Sequence, residues 1–173
     1  IYTGKAVDSS VVTKYTTVMS GYKIPSWAYE CVAYGLENGI VTISDIPGFI
    51  NSSGASVNAT RQDVAIMMGR ALKDFETVNN NATLSFKDAS SVASIAVPYV
   101  DLLNRLGIIT GDDNGNFNPK NYINRAEMAV IVSKTNDLIK SKGNGGSSTQ
   151  TSSVTGTVKS TQNVGGNIVL TVD

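Results

Sequence analysis

The feature that most constrains this chain is an internal repeat. The segment that begins at Thr60-Arg61 recurs 64 residues later at Asn124-Arg125. Residues 27–41 likewise match residues 95–109, since in both an apolar helical run ends at a glycine that two β-branched residues follow. Repeats of roughly 60 residues build arrays of helix–loop–helix units, which stack because one unit cannot bury its apolar face alone. The sequence therefore predicts a mainly α fold whose repeats pack as one helical body.

Helical periodicity indicates which residues of these segments are buried. The helix that begins at Arg61 carries an apolar stripe, and so does the run from Val92 to Leu106, whose start Pro98 moves to about Val97. In the second copy of the stripe, the spacing predicts that Thr135 and Asn136 turn toward solvent. The predicted core positions are Val64, Met67, Met68, Ala71, Leu72, Phe75, Ile95, Tyr99, Leu102, Leu103, Leu106, Met128, Ile131, Val132 and Ile139.

The order of short motifs in the second repeat is more specific than any one of them. It has F-x-D at Phe86, G-I-I-x-G at Gly107, G-x-F-x-P at Gly115 and R-A-E at Arg125. This order resembles the S-layer homology (SLH) domain family, and the resemblance covers about residues 20–140. The second repeat departs from the family at Ile95, usually Trp, and at Asn124, usually Thr or Ser. The first repeat keeps Trp27 and Thr60-Arg61, but a longer, divergent segment at 45–58 replaces the G-x-F-x-P loop.

The pattern divides the chain into five parts. A Gly/Ser/Thr tract follows the second repeat, and after it period-two alternation around Gly165-Gly166-Asn167 predicts a β-hairpin. An isolated hairpin is marginal in water, so we expect a larger β-rich domain to begin there and the natural protein to continue. The predicted parts are a closing helix of a preceding repeat (1–19), two SLH-like repeats (20–77 and 84–140), a linker (141–153) and the hairpin (154–173).

Composition narrows the function classes. The net charge is zero and no apolar run approaches 18 residues, so neither nucleic-acid binding nor a transmembrane helix is predicted. The chain has no His, the usual general base and metal ligand. The single Cys31 is either a nucleophile or a buried small hydrophobe, and its apolar neighbours favour burial. Asp112-Asp113-Asn114-Gly115 fails the calcium-loop spacing and reads as a turn. We predict no catalytic residue, cofactor or metal site.

The two repeated helix starts carry the chemistry that the sequence offers. Thr60 with Asp63, and Asn124 with Glu127, have the spacing of capping boxes. Capping does not explain Arg61 and Arg125, because a cation in the first turn opposes the helix dipole. Two interpretations stay open: each Arg pairs with a loop acid such as Asp45, Asp88 or Asp112, or it faces a groove and binds an anion beside free N–H groups.

The resemblance implies a non-catalytic, extracellular module that anchors a protein to the cell wall or S-layer. SLH domains bind secondary cell-wall polysaccharide, commonly with a pyruvate ketal, in grooves between repeats, and S-layer proteins associate with themselves in a lattice. Arg61 and Arg125 match the family's ligand-binding Arg, and Lys87 either assists or is merely solvated. Trp27 either packs on a sugar ring or belongs to the core. The alternative function is a structural repeat module that packs against other protein domains without binding polysaccharide.

Overall fold

The computed structural model describes residues 7–143, 158–164 and 167–172. The described helices belong to one compact unit that ends at Gly143, and the strands belong to a second unit. The mainly α prediction is confirmed, and no helix of the described residues has the length and apolar character to cross a membrane. The elements are α1 (Ser9–Gly21), α2 (Tyr29–Glu37), α3 (Arg61–Ala71), α4 (Val97–Arg105), α5 (Arg125–Gly143), β1 (Val158–Val164) and β2 (Asn167–Val172), with short 3₁₀ turns at Ser26–Ala28, Ile43–Gly48 and Ala89–Ser91.

Helices pair across the repeats. Helix α1 packs against α2, and α3 packs against α4, so each closing helix contacts the opening helix of the next repeat. The α3–α4 contact is close, because a Cβ added at Gly69 would lie 2.6 Å from Cδ1 of Tyr99. This contact explains a glycine in the middle of a helix, where it costs roughly 1 kcal/mol relative to alanine.

One core cluster joins α3, α4 and α5. Its largest fully buried side chain is Phe117, which comes from the loop before α5 and not from a helix. Met68, predicted as core, is 8% exposed. Burying each large side chain contributes about 1.5–3 kcal/mol, so this cluster is the main source of the unit's stability. Its fully or nearly fully buried members include Val64, Ala65, Leu72, Ala96, Val100, Leu102, Leu103 and Ile109.

Several predicted core positions are wrong, because α3 and α4 are shorter than their periodic patterns and α5 buries a different face. Ile95 precedes α4 and is 59% exposed, while Phe75 follows the end of α3 and lies at the surface. In α5 the buried residues are Ile131, Thr135 and Ile139, so Val132 is exposed and Thr135 does not turn toward solvent. The predicted start of α4 at about Val97 is confirmed, whereas the end of α3 and the buried face of α5 are misplaced.

The region around α2 also differs from the prediction. A 3₁₀ turn that contains Trp27 precedes α2, and no side chain caps that helix. Trp27 is not a core residue, since it is 83% exposed. Cys31, predicted buried, is exposed. The residues that α2 buries are the small Ala33 and Gly35, and Cys31 lies one turn before Gly35, near the start of the helix. Apolar neighbours in sequence therefore did not indicate burial in this short helix.

The loops of the two repeats share a turn that their sequences conceal. In the second repeat, the backbone N–H of Asp112 donates to Asn116 O (2.8 Å) and its Oδ1 accepts from the N–H of Asn116 (2.8 Å). In the first repeat, the N–H of Asn51 donates to Ala55 O (2.9 Å) and its Oδ1 accepts from the N–H of Ala55 (3.0 Å). A glycine with φ of +81° or +87° completes each turn. The first loop thus keeps the turn and lacks only the buried Phe and the Pro.

Strands β1 and β2 pair antiparallel, with Val164 opposite Asn167 and an irregularity between Val158 and Ser160. Gly165 and Gly166, which the sequence places in the turn, lie outside the described residues, as do most of the predicted linker and residues 1–6. Helix α5 runs through Gly143, into the start of that predicted linker. The larger β-rich domain stays a prediction.

Thr135 offers a test of the buried face of α5. Its side chain is fully buried, and its Oγ1 has no hydrogen-bond partner among the described residues. We expect Thr135→Val to raise the free energy of unfolding by about 1–2 kcal/mol, because it replaces an unsatisfied buried hydroxyl by a methyl group of the same shape. Urea unfolding followed by circular dichroism measures this change. Thr135→Ser keeps the hydroxyl but removes the buried methyl group, so it should lower the free energy of unfolding. If Thr135→Val also lowers it, the hydroxyl has a hydrogen-bond partner.

Candidate ligand-binding groove

The starts of α3 and α5 lie side by side because their lead-in segments pair. Thr60 and Tyr122 form an antiparallel bridge. On either side of it, the N–H of Arg61 donates to Asn121 O (2.9 Å) and the N–H of Ile123 donates to Ala59 O (3.0 Å). Two helix starts that are 64 residues apart in sequence are therefore neighbours, which places the repeated motifs of both repeats at one junction.

Both predicted capping boxes are confirmed. The N–H of Thr60 donates to Oδ2 of Asp63 (3.1 Å), whose own N–H reaches Oγ1 of Thr60 (3.4 Å). The N–H of Asn124 donates to Oε2 of Glu127 (2.9 Å), and the N–H of Glu127 donates to Oδ1 of Asn124 (2.9 Å). These bonds satisfy backbone donors that would otherwise lack partners at each helix start.

Arg61 reaches across the junction to the other repeat. Its Nη1 lies 3.2 Å from Oε1 of Glu127, and its Nη2 donates to Thr110 O at 2.7 Å. The guanidinium also sits over the Phe117 ring, 5.5 Å from its centroid. The loop acids proposed from the sequence are not its partners, since the salt-bridge partner is an acid of the second capping box. Glu127 therefore caps α5 with one oxygen and holds Arg61 with the other.

A groove opens beside this pair, which we name the Arg61 groove. It has a volume of about 550 Å³ and lies between α3, the loop 108–118 and the first turns of α5. Small-molecule sites span about 300–1,000 Å³, so a sugar residue fits. Its lining combines polar side chains, among them Arg61, Asn118, Asn121 and Glu127, with apolar ones, among them Tyr122, Val130 and Ile131.

The charges that line the groove are balanced. Arg61 and Lys134 are cationic, and Nζ of Lys134 donates to Gly107 O (2.6 Å). Against them stand Glu127 and Asp112. Hydrogen bonds from the backbone of Asn116 and the side chain of Asn118 lower the pKa of Asp112 to about 2, so it is ionised at neutral pH. An anion would be attracted at Arg61 itself and not by a general positive field.

Asp88 fixes the loop that forms the floor. Its two carboxylate oxygens accept the backbone N–H groups of Phe117 (2.7 Å) and Asn118 (2.8 Å). Asn118 has a φ of +59°, a left-handed conformation that Asn tolerates better than most residues. The F-x-D motif therefore holds the G-x-F-x-P motif. Sequence analysis missed this role of Asp88, although the fixed order of the two motifs was the signal for it.

The predicted site residues do not all meet. Arg61, Asn124 and Glu127 line the Arg61 groove, whereas Arg125, Trp27 and Lys87 are not among its lining residues. The backbone N–H of Lys87 donates to Gly115 O (3.0 Å), and its side-chain stem passes that glycine. The groove residues that sequence reasoning missed are Asn118, Asn121, Tyr122 and Val130. The backbone bridge at Thr60 places Asn121 and Tyr122 next to Arg61.

A second, smaller groove of about 190 Å³ occupies the equivalent place in the first repeat, with Asp63 and Met67 where the Arg61 groove has Glu127 and Ile131. Helix α1, the counterpart of α3 here, begins with Ser9 and so offers no arginine.

Asp45, which lines this smaller groove, is an acid with a shifted pKa. Burial alone would raise the pKa of Asp45, but hydrogen bonds from Thr42 and Arg70 outweigh it and lower that pKa. The described residues contain no cluster of three or more metal-ligating acids or cysteines.

Comparisons with known proteins agree with the motif order. Residues 85–129 match the model of the S-layer homology domain. This segment therefore carries a match to the S-layer homology domain family. An SLH domain is a non-catalytic anchoring module, and the family indicates an extracellular location in the cell wall or S-layer.

Similar proteins match over more of the chain than the domain model does. An uncharacterized cell wall amidase of Bacillus anthracis is 32% identical over 63% of the chain. The surface-layer 125 kDa protein of Lysinibacillus sphaericus is 31% identical over 65%, and S-layer protein EA1 of Bacillus anthracis is 30% identical over 69%. The matches span 19%, 9% and 13% of those proteins, so the shared part is a small module of each. No solved structure gives a significant match.

Proposed function

We propose that this SLH module anchors a surface protein by holding an anionic secondary cell-wall polysaccharide in the Arg61 groove. The observation that carries the proposal is the guanidinium of Arg61 at the edge of a groove of sugar size, at a helix start. A carboxylate on the polymer, such as a pyruvate ketal, is the group that a planar guanidinium binds in a bidentate way.

Arg61 retains donors for such a ligand. A guanidinium has five N–H groups; Glu127 and Thr110 O take one each, and Nε is buried without a partner in the described part of the chain. Two N–H groups on Nη1 and Nη2 remain, and the side chain is 17% exposed. Those two donors suit the two oxygens of one carboxylate.

Glu127 lowers the affinity that we expect the Arg61 groove to have for a ligand carboxylate. It already neutralises Arg61, and its side chain is 42% exposed, so the pair contributes at most about 1 kcal/mol and is not a rigid barrier. A ligand carboxylate must share Arg61 with Glu127 or displace it. We therefore expect a single groove to bind moderately, so that strong anchoring depends on several sites acting together.

The alternative is a structural module without polysaccharide binding. One observation favours it: Arg61 bridges the two repeats through Glu127, Thr110 O and the Phe117 ring, which is a sufficient reason to keep an arginine there. The lining charges of the groove also cancel. In this case the arginine stabilises the junction and the chain packs against other protein domains.

Binding to purified cell-wall sacculi tests the proposed function. The chain should sediment with sacculi that carry the secondary polymer, and it should stay in the supernatant after the polymer is chemically removed. A matched pair of pyruvylated and de-pyruvylated sacculi tests the carboxylate. Equal sedimentation with sacculi that carry the polymer and with sacculi that lack it would contradict polysaccharide anchoring. If the chain needs the polymer but sediments equally with pyruvylated and de-pyruvylated sacculi, the ketal carboxylate has no part in the mechanism.

A further inference from the structure

Tyr122 is the exposed aromatic side chain of the Arg61 groove. It is 65% exposed, and Val130, which also lines the groove, is 52% exposed. Single exposed apolar side chains are normal on a folded protein, but apolar side chains that gather at a groove mark an interaction site. Tyr122 and Val130 therefore give the groove exposed apolar surface in addition to its polar side chains.

The backbone holds Tyr122 in place. Its bridge to Thr60, with the hydrogen bonds of the residues on both sides of it, fixes the lead-in to α5 against the start of α3. Arg61 is the next residue after Thr60, and the side chains of Arg61 and Tyr122 both line the Arg61 groove. A ligand that contacts Arg61 is therefore within reach of the Tyr122 ring.

We propose that Tyr122 is the platform on which a sugar ring of the ligand packs while its acidic substituent binds Arg61. This inference rests on the proposed function and adds the residue that selects a pyranose ring over a free carboxylate. The C–H face of a pyranose is apolar and its substituents are polar, which matches a groove whose lining combines apolar and polar side chains. A tyrosine presents such a face at little conformational cost, since it has only two side-chain torsions.

The equivalent groove of the first repeat has different residues at the positions of Tyr122 and Arg61. Asn58 lies 64 residues before Tyr122, and Ser9 begins the helix that corresponds to α3. The smaller groove there thus has no counterpart of Tyr122 or Arg61 at the equivalent positions, although Phe49 from its loop lines it. Trp27, the exposed aromatic that the sequence suggested, lies outside the lining of the Arg61 groove. We therefore infer one glycan site within the described helical unit.

Isothermal titration with purified, soluble pyruvylated wall polymer tests the platform. Tyr122→Ala should weaken binding about tenfold, because the stacking surface is lost. Tyr122→Phe keeps the ring and should bind within about twofold of the original chain. Trp27→Ala is the matched control, since it removes a more exposed aromatic outside the groove, and it should leave affinity unchanged. Thermal unfolding of each variant verifies that the fold persists.

The outcomes separate this inference from the proposed function. If Arg61→Ala weakens binding but Tyr122→Ala does not, the platform is wrong and the function stands. If Tyr122→Phe loses as much as Tyr122→Ala, the hydroxyl binds the ligand and the ring does not act as a platform. An original chain that binds no polymer overturns both. A stoichiometry of about one polymer repeat per chain is expected, and a value near two would contradict the single site.

Discussion

Asp88→Ala is expected to lower the free energy of unfolding by about 2–4 kcal/mol. The half-buried carboxylate accepts two backbone N–H groups, from Phe117 and Asn118, and no other acceptor replaces it in the described structure. Hydrogen bonds to a charged group contribute about 1.5–3 kcal/mol each, and a buried donor that loses its partner adds a desolvation cost. Because Phe117 is the largest fully buried side chain, loosening its backbone also disturbs the core.

Two further variants make this prediction specific. Asp113→Ala removes an aspartate side chain from an exposed position in the loop 108–118, which Asp88 holds. It should change the free energy of unfolding by less than about 0.5 kcal/mol. Asp88→Asn should fall between, since an amide oxygen accepts one N–H while its NH₂ group faces the other donor. Urea unfolding measures all three. Equal stability of Asp88→Ala and Asp113→Ala would show that the two motifs are not coupled through Asp88.

Local sequence signals were enough for the starts of α3 and α5 and for several turns. Thr60 with Asp63, and Asn124 with Glu127, formed the expected boxes because capping depends on residues only three apart. Gly39 and Gly107 both have a φ of +66°, as their position after an apolar helical run predicted. Such features are decided within one or two turns of chain, which is the range that a sequence pattern describes.

Long-range packing decided the rest. The exposed Cys31 and the buried Thr135 both contradict their local patterns, because burial depends on which neighbouring element covers a helix face. The groove depends on the bridge between Thr60 and Tyr122, and no local signal shows that these residues pair. For the same reason Arg61 and Arg125, equivalent in sequence, differ in surroundings: the first contacts another repeat, and the second is exposed.

Arg61→Ala is expected to weaken binding of pyruvylated wall polymer roughly ten- to a hundredfold. The physical reason is the loss of a charge-assisted contact of about 1.5–3 kcal/mol between the guanidinium and the ligand carboxylate. Arg125→Ala is the matched control, because it removes the equivalent residue of the other repeat from outside the Arg61 groove. It should bind like the original chain. Equal losses in both variants would contradict the assignment of the site to this groove.

The difficulty with Arg61→Ala is that it also removes structural contacts. Losing the Glu127 pair, the bond to Thr110 O and the contact with Phe117 should lower stability by about 1–2 kcal/mol, so weaker binding alone does not prove contact with the ligand. Arg61→Lys restores a charge but not the planar fork, and it should recover binding only in part. If every variant is titrated below its unfolding temperature, all are folded, and the differences in affinity do not arise from unfolding.

Glu127→Gln separates the two roles of Arg61 most sharply. Glutamine still serves in a capping box, so the start of α5 should persist. The change frees the guanidinium from its counter-charge and removes one of the two acids of the groove. If Arg61 binds the polymer carboxylate, affinity should rise severalfold, and the gain should shrink with added salt because it is electrostatic. If Arg61 only joins the repeats, Glu127→Gln should lower the unfolding temperature and leave affinity unchanged, and the arginine would then be a structural residue at a junction whose ligand site lies elsewhere.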